Sequence, residues 1–291
     1  MIKLDISDNF GVSDKITCYG DSLLDDTGGT SPATLLKRML PSRLVSKYAI
    51  GGQKAAQIAC RQGGIQIRIS LTGGVFTALT PIVLSFISTQ FLSTAATNAT
   101  KTEKGTVNGI PCTITRTATG TAPSQVEVYT ITPAFSTTDA VPDNSIFIPD
   151  YAVSAMSDIQ VLWMGRNDAS ALTGVDLIVD NCIAFIEKPR RVIVVGVITA
   201  LAEITGTANY IAIQAHNAKL KAAYPSNYVE GTPPSADEMA ELRYTPSAQD
   251  IIDLGNNVIP TGMRSDSLHL NTVGYQLFAN RIYKKIKELK Y

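Results

Sequence analysis

A serine hydroxyl attacks a carbonyl only when a neighbouring base takes its proton, so a catalytic serine needs a histidine within reach. This chain has two histidines. His216 falls inside Ala208–Tyr224, a stretch whose pattern predicts a helix, where a packing or surface role is the simpler expectation. His269 lies in the polar segment Ser265-Asp266-Ser267-Leu268-His269-Leu270-Asn271. Asp266 stands three residues before it, and in a turn that spacing lets the carboxylate meet the imidazole Nδ1–H and fix its tautomer. The alternative is that Asp266 or Asn271 caps the helix that follows. Ser22 is the best-placed serine. It follows Gly20-Asp21 at the carboxyl end of a short apolar strand, Lys15–Tyr19, and open α/β sheets bind ligands outside such ends. Gly-Asp-Ser is equally an ordinary turn, in which Asp21 hydrogen-bonds its own backbone.

Acyl transfer also needs donors aimed at the developing oxyanion. Gly165-Arg166-Asn167-Asp168 follows a second apolar run, Ile159–Met164, and would bring the Asn167 amide to the same rim. Gly51-Gly52 closes the strand candidate Leu44–Ile50, and either glycine could offer an unobstructed N–H, Gly52 being preferred. Asp25, Asp26 and Arg166 read as exposed loop charge, and Trp163 reads as core.

The elements that must carry these residues alternate. Ser31-Pro32 opens a helix that runs to about Leu40, before Pro41. A short helix follows over Ala55–Arg61. Helices are predicted at Val175–Glu187, Ala208–Tyr224 and Asn271–Leu289, with a buried parallel strand at Arg191–Val197. Residues 66–148 differ: they hold 18 Thr and 8 charged residues, alternate with period two, and carry turn signals at Gly73-Gly74, Asn108-Gly109 and Pro142-Asp143. Strand–helix alternation on both sides of this stretch implies one parallel sheet. The expected fold is a three-layer α/β/α sandwich over 1–65 and 149–291, with an inserted β-sandwich-like domain over 66–148.

Four blocks, Gly-Asp-Ser-Leu, the Gly51-Gly52 pair, Gly-x-Asn-Asp and Asp-x-x-His, occur in that order and context. This set resembles the SGNH hydrolases, or GDSL-type esterases. The resemblance covers residues 15–62 and 155–289, but not 66–148, and the second block lacks the Asn that often opens it. It implies a flavodoxin-like sheet, Ser22 as nucleophile, His269 as base, Asp266 as its partner, and an oxyanion hole of Ser22, Gly52 and Asn167. No metal or organic cofactor would be needed.

Composition narrows the partners. Lys+Arg and Asp+Glu are both 25, a zero balance that argues against nucleic-acid binding. Four cysteines without a CxxC pair, beside two histidines, disfavour a zinc site and read as buried thiols. Residues 73–93 are too interrupted for a membrane span, and residues 1–5 lack the apolar run of a signal peptide. Within the resembled family, the Thr-rich insert is similar to carbohydrate-binding modules beside polysaccharide deacetylases, including those on bacteriophage tails. The expected substrate is therefore an acylated carbohydrate, such as an O-acetylated capsule or O-antigen, acted on in the virion tail or outside a cell. A lipase, lysophospholipase or thioesterase is the alternative within the family, and a non-catalytic glycan-binding module the alternative outside it. Inserts of this kind also build oligomer contacts, so a homo-oligomer is a further expectation.

Overall fold

The computed structural model describes residues 13–121, 124–169 and 172–291. The N-terminal residues read for a signal peptide lie outside them, as do the first twelve residues of the expected 1–65 segment.

The chain runs β1 (Ile16–Gly20), α1 (Pro32–Met39), β2 (Val45–Ala49) and α2 (Ala55–Gln62) before entering the β-rich stretch. That stretch holds β3 (Ile67–Leu71), β4 (Ile82–Ile87), β5 (Lys101–Val107), β6 (Ile110–Thr119), β7 (Val126–Pro133) and β8 (Ser145–Pro149). Next come α3 (Asp150–Ser154), β9 (Ile159–Trp163), α4 (Val175–Phe185), β10 (Val192–Val195), α5 (Ala208–Ala223) and β11 (Tyr228–Val229). The chain closes with α6 (Ala236–Glu241), α7 (Ala248–Gly255) and α8 (Thr272–Glu288).

Two β bodies result. The first is a parallel sheet in the order β11-β10-β9-β1-β2. Its strands are short apolar runs, and β1, β9 and β10 are buried along their whole length, as expected where both faces are covered. Ile16, Cys18, Val161, Trp163 and Val195 pack with α1 and α8 on one face, while Tyr19, Leu162, Val192 and Val194 pack with α2, α4 and α5 on the other. The helices start where the sequence provides caps. Ser31 Oγ accepts from Thr34 N with Pro32 in the first turn, and Asn271 Oδ1 accepts from the Val273 and Gly274 N–H groups at the head of α8.

The second body corrects the expected architecture. Residues 67–149 form a closed antiparallel barrel, β3-β4-β7-β6-β5-β8, and not a β-sandwich. Period-two alternation states only that each strand has one buried face, and a barrel and a sandwich satisfy it equally. Closure comes from pairing: β3 bonds both β4 and β8, and β5 bonds both β6 and β8, so no edge is left open. Val107, Ile114, Ile131 and Phe147 fill the interior. Asn108-Gly109 makes the two-residue β5–β6 hairpin with positive φ at both positions. Residues 73–93, interrupted as a membrane span, belong to this barrel, and among the described residues no helix is long and apolar enough to cross a membrane. The chain as a whole is therefore not the three-layer α/β/α sandwich that strand–helix alternation implied. It is a helix-flanked five-stranded parallel sheet joined to a six-stranded closed barrel of a different kind.

Candidate active site

β1 sits between β9 and β2, and the pairing is in register to the last residue: Gly20 lies opposite both Ala49 and Trp163. Three adjacent strands thus end at one level. The turn Ser22–Leu24 leaves β1, Gly51-Gly52 leaves β2, and the turn Arg166–Asp168 leaves β9. The segment before α8 arrives over them from the other end of the chain.

Ser22 is nearly buried, and its Oγ lies 2.9 Å from His269 Nε2. His269 Nδ1 lies 2.7 Å from Asp266 Oδ2. The other Asp266 oxygen accepts from the Leu268 and His269 N–H groups at 2.7 and 2.6 Å, so Asp266 both shapes the loop and faces the imidazole. Although partial burial pushes the Asp266 carboxyl up, these hydrogen bonds from His269 and Leu268 hold it below the usual carboxylate range. Asp266 does not cap α8; Asn271 does. His216 is buried in α5, far along the chain from this cluster, and burial lowers its pKa.

Asn167 Nδ2 donates to the main-chain oxygen of Gln53 at 2.9 Å and lies 3.4 Å from Asp21 Oδ2. The β9 rim is therefore tied to the β2 rim, and Asp168 Oδ2 adds a second tie by accepting from Ala55 N at 2.8 Å. Gly51 sits beside Ser22: a Cβ there would stand 3.7 Å from Ser22 Cβ. Gly52 adopts φ +82°, which L side chains rarely take, and a Cβ on it would press on Ala95 of the barrel. Both glycines of the second block thus lie at the rim, one beside Ser22 and one beside the barrel loop.

Asp21 caps its own turn through Leu23 N, as read from sequence. Its burial pushes the carboxyl up to about 7, against the pull of that N–H, Arg166 and His269. A carboxyl whose burial favours its protonated form thus adjoins Ser22 in sequence and contacts Asn167.

Among proteins of known kind, the chain is similar to a tail spike protein of Salmonella phage epsilon15, 25% identical over 250 residues. The shared stretch is 81% of this chain but 23% of that protein, so the chain spans about a quarter of its relative. No protein-family model and no solved structure matches. The four-block resemblance therefore rests on the motif residues themselves.

Several residues that hold the site carry no sequence signal of doing so. Arg61, 1% exposed, donates to the main-chain oxygens of Gly20 and Tyr48 and to Gln53 Oε1, joining the β1, β2 and α2 segments beneath Ser22. Gln53, fully buried, passes the tie to the barrel by donating to Phe91 O and Ser93 O. Arg264 donates to Ile259 O and Thr199 O, and more weakly to Ser267 O and Leu268 O, and so pins the His269 loop. Arg166 corrects the expectation of exposed loop charge: it is buried and pairs with Glu203 through two 2.7 Å contacts. Gly28 is packed under the same loop, where a Cβ would come within 2.9 Å of Leu270 O. A charged residue in a loop or short helix reads as solvated until long-range packing is known.

Proposed function

We propose that this chain is a serine esterase that removes short acyl groups, acetyl foremost, from a polysaccharide. The observation that carries the reading is the continuous chain Ser22 Oγ–His269 Nε2–Asp266 at 2.9 and 2.7 Å, standing where three parallel strands end. Its support from sequence is the four-block resemblance to SGNH-type esterases. The polysaccharide and a place on a virion tail are supported by the similarity to a phage tail spike protein and by the polar, Thr-rich barrel.

In this reading His269 Nε2 takes the Ser22 proton as Oγ attacks the ester carbon. The C–O π pair moves to oxygen, where the N–H groups of Ser22 and Gly52 and the Asn167 amide receive it. Collapse expels the sugar alkoxide, which takes the proton from His269. Water, deprotonated in turn by His269, then releases acetate and restores Ser22. Asp266 holds the imidazole in the tautomer that makes Nε2 the base and stabilises its cation. One Asn167 amide hydrogen is committed to Gln53 O, which fixes the plane of the amide; the other makes only the long contact to Asp21 and is the one left to serve the oxyanion.

The test is hydrolysis of p-nitrophenyl acetate, butyrate and octanoate by the wild type and Ser22→Ala. Turnover falling with chain length and lost in Ser22→Ala is expected. Equal inertness of both proteins between pH 6 and 9, on acetylated polysaccharide as well, would refute the esterase and leave a glycan-binding module as the better account.

A further inference from the structure

A cleft of about 610 Å³ leads away from Gly52 along the junction of sheet and barrel. That is within the ~300–1,000 Å³ range of small-molecule sites. Its walls come from both bodies. Gly52 and Gln57 lie on the β2–α2 side, Gln90 and Thr94 on the β4–β5 loop, and Gln125 and Glu127 at the start of β7. A Cβ on Gly51, the neighbour of Gly52, would stand 3.7 Å from Ser22 Cβ, so the Gly52 end of the cleft lies on the Ser22 side.

The chemistry of the walls selects among ligands. Three carboxamides, the hydroxyls of Ser93 and Thr94 and the Lys54 side chain line the space, and among the described residues no aromatic ring does. An acyl chain of any length would find little apolar surface to bury against. Glu127 contributes little free charge, because Arg116 Nη2 and Ser93 Oγ both bond it at 2.5 Å. A carboxamide offers a donor and an acceptor in one plane, the complement of two adjacent sugar hydroxyls. Gln57 is spent on holding α2, accepting from Lys54 N and donating to Gln90 O. The Gln90 side chain makes no hydrogen bond among the described residues, and Gln125 uses only its oxygen, on Asn98 N. The loop that carries Gln90 is fixed in place, since Gln53 holds Phe91 O and Ser93 O and Ala95 N donates to Gly51 O at 3.1 Å. The site is thus preformed, which lowers the ordering cost of binding.

We propose that this cleft binds a sugar unit adjoining the one whose ester sits at Ser22, with Gln90 and Gln125 as the groups that read its hydroxyls. The proposal rests on the esterase reading and adds to it that the barrel and the sheet select the substrate jointly.

The experiment compares wild type with the double variant Gln90→Ala/Gln125→Ala on two substrate kinds: p-nitrophenyl acetate, and partially O-acetylated xylo-, manno- and galacto-oligosaccharides of three to four units. Both positions are at the surface, and an unchanged Tm excludes unfolding. Loss of two hydrogen bonds should raise KM for the preferred oligosaccharide about tenfold with kcat retained. The rise should be several times that seen with p-nitrophenyl acetate. An equal rise on both substrates, or none, overturns the cleft while leaving the esterase intact. So does a wild type that cleaves p-nitrophenyl acetate but no acetylated oligosaccharide. Silence of the wild type on every substrate removes both readings together.

Discussion

Asn167 Nδ2 and the main-chain oxygen of Gln53 stand 2.9 Å apart, joining the exits of β9 and β2 across the end of β1. With the contact to Asp21 Oδ2, the bond fixes the amide before any substrate arrives, and prior fixing of donors is the condition for oxyanion stabilisation without reorganisation. Asn167→Ala should therefore lower kcat on p-nitrophenyl acetate by ~10²–10³, or about 3–4 kcal/mol, with little change in KM. Steady-state kinetics decide it. A loss confined to KM would mean that Asn167 binds the ground state and has no special hold on the transition state.

Asp266 differs from the buried acids of many triads: its side chain is 53% exposed while His269 is 20% exposed. Solvent therefore shares in orienting and stabilising the imidazole. Asp266→Ala should lower kcat by ~10²–10⁴, less than Ser22→Ala or His269→Ala. Because Asp266 Oδ1 also holds two loop N–H groups, Asp266→Asn should retain the loop better than Asp266→Ala and lose activity through the tautomer alone. Equal activity of wild type and both variants would exclude Asp266 from the mechanism.

Asp21 makes stability depend on pH in an unusual direction. Burial raises its carboxyl to about 7, from 3.8 for the exposed group. The folded chain therefore keeps a proton between about pH 4 and 7 that the unfolded chain gives up, and stability from this group falls as pH rises through that window. The contribution is complete below about 4 and gone above about 7. Asp21→Asn, which stays neutral, should be more stable than wild type at pH 8 relative to pH 4, by an amount on the order of a few kcal/mol. Urea midpoints for the two proteins at pH 4, 6 and 8 measure the difference. A gap independent of pH would show that Asp21 is not buried as a carboxylic acid.

How far the sequence spoke depends on the range of each signal. Ser22, Asp266 and His269 could be picked out because each stands in a short polar segment beside an apolar run, and Asp266 reaches His269 within one turn. The sheet strands were legible as continuous apolar runs. The strand order was not, since the place of β1 between β2 and β9 depends on the β1–β9 pairing, Ile16 opposite Ile159, across more than a hundred residues. The same holds for the barrel, where alternation gave each strand's buried face but not the β3–β8 pairing that closes the ring. Arg61 is the clearest case among side chains. The sequence marks it only as the end of a short helix, yet it is buried because the main-chain oxygens of Gly20 and Tyr48 and the side-chain oxygen of Gln53 converge on it.

Arg166 and Glu203 give the last prediction, which concerns stability and the site together. Their side chains are 8% and 9% exposed and share two 2.7 Å contacts. Glu203 also accepts from Ala200 N at 2.6 Å, so it shapes the loop after β10. That loop meets the His269 segment directly, Leu201 N donating to Ser267 O at 2.8 Å. Glu203→Ala leaves a guanidinium buried without its counter-charge, a change that costs about 3–5 kcal/mol. Replacing both partners, Arg166→Met with Glu203→Leu, should recover much of that loss, because the desolvated charge is gone. The loop after β10 would still lack its acceptor for Ala200 N, so kcat of the double variant should stay below wild type although its urea midpoint returns. Amide exchange at Leu201 should be faster in both variants. A Glu203→Ala protein with wild-type midpoint and wild-type exchange would show that the pair neither stabilises the fold nor steadies the His269 segment.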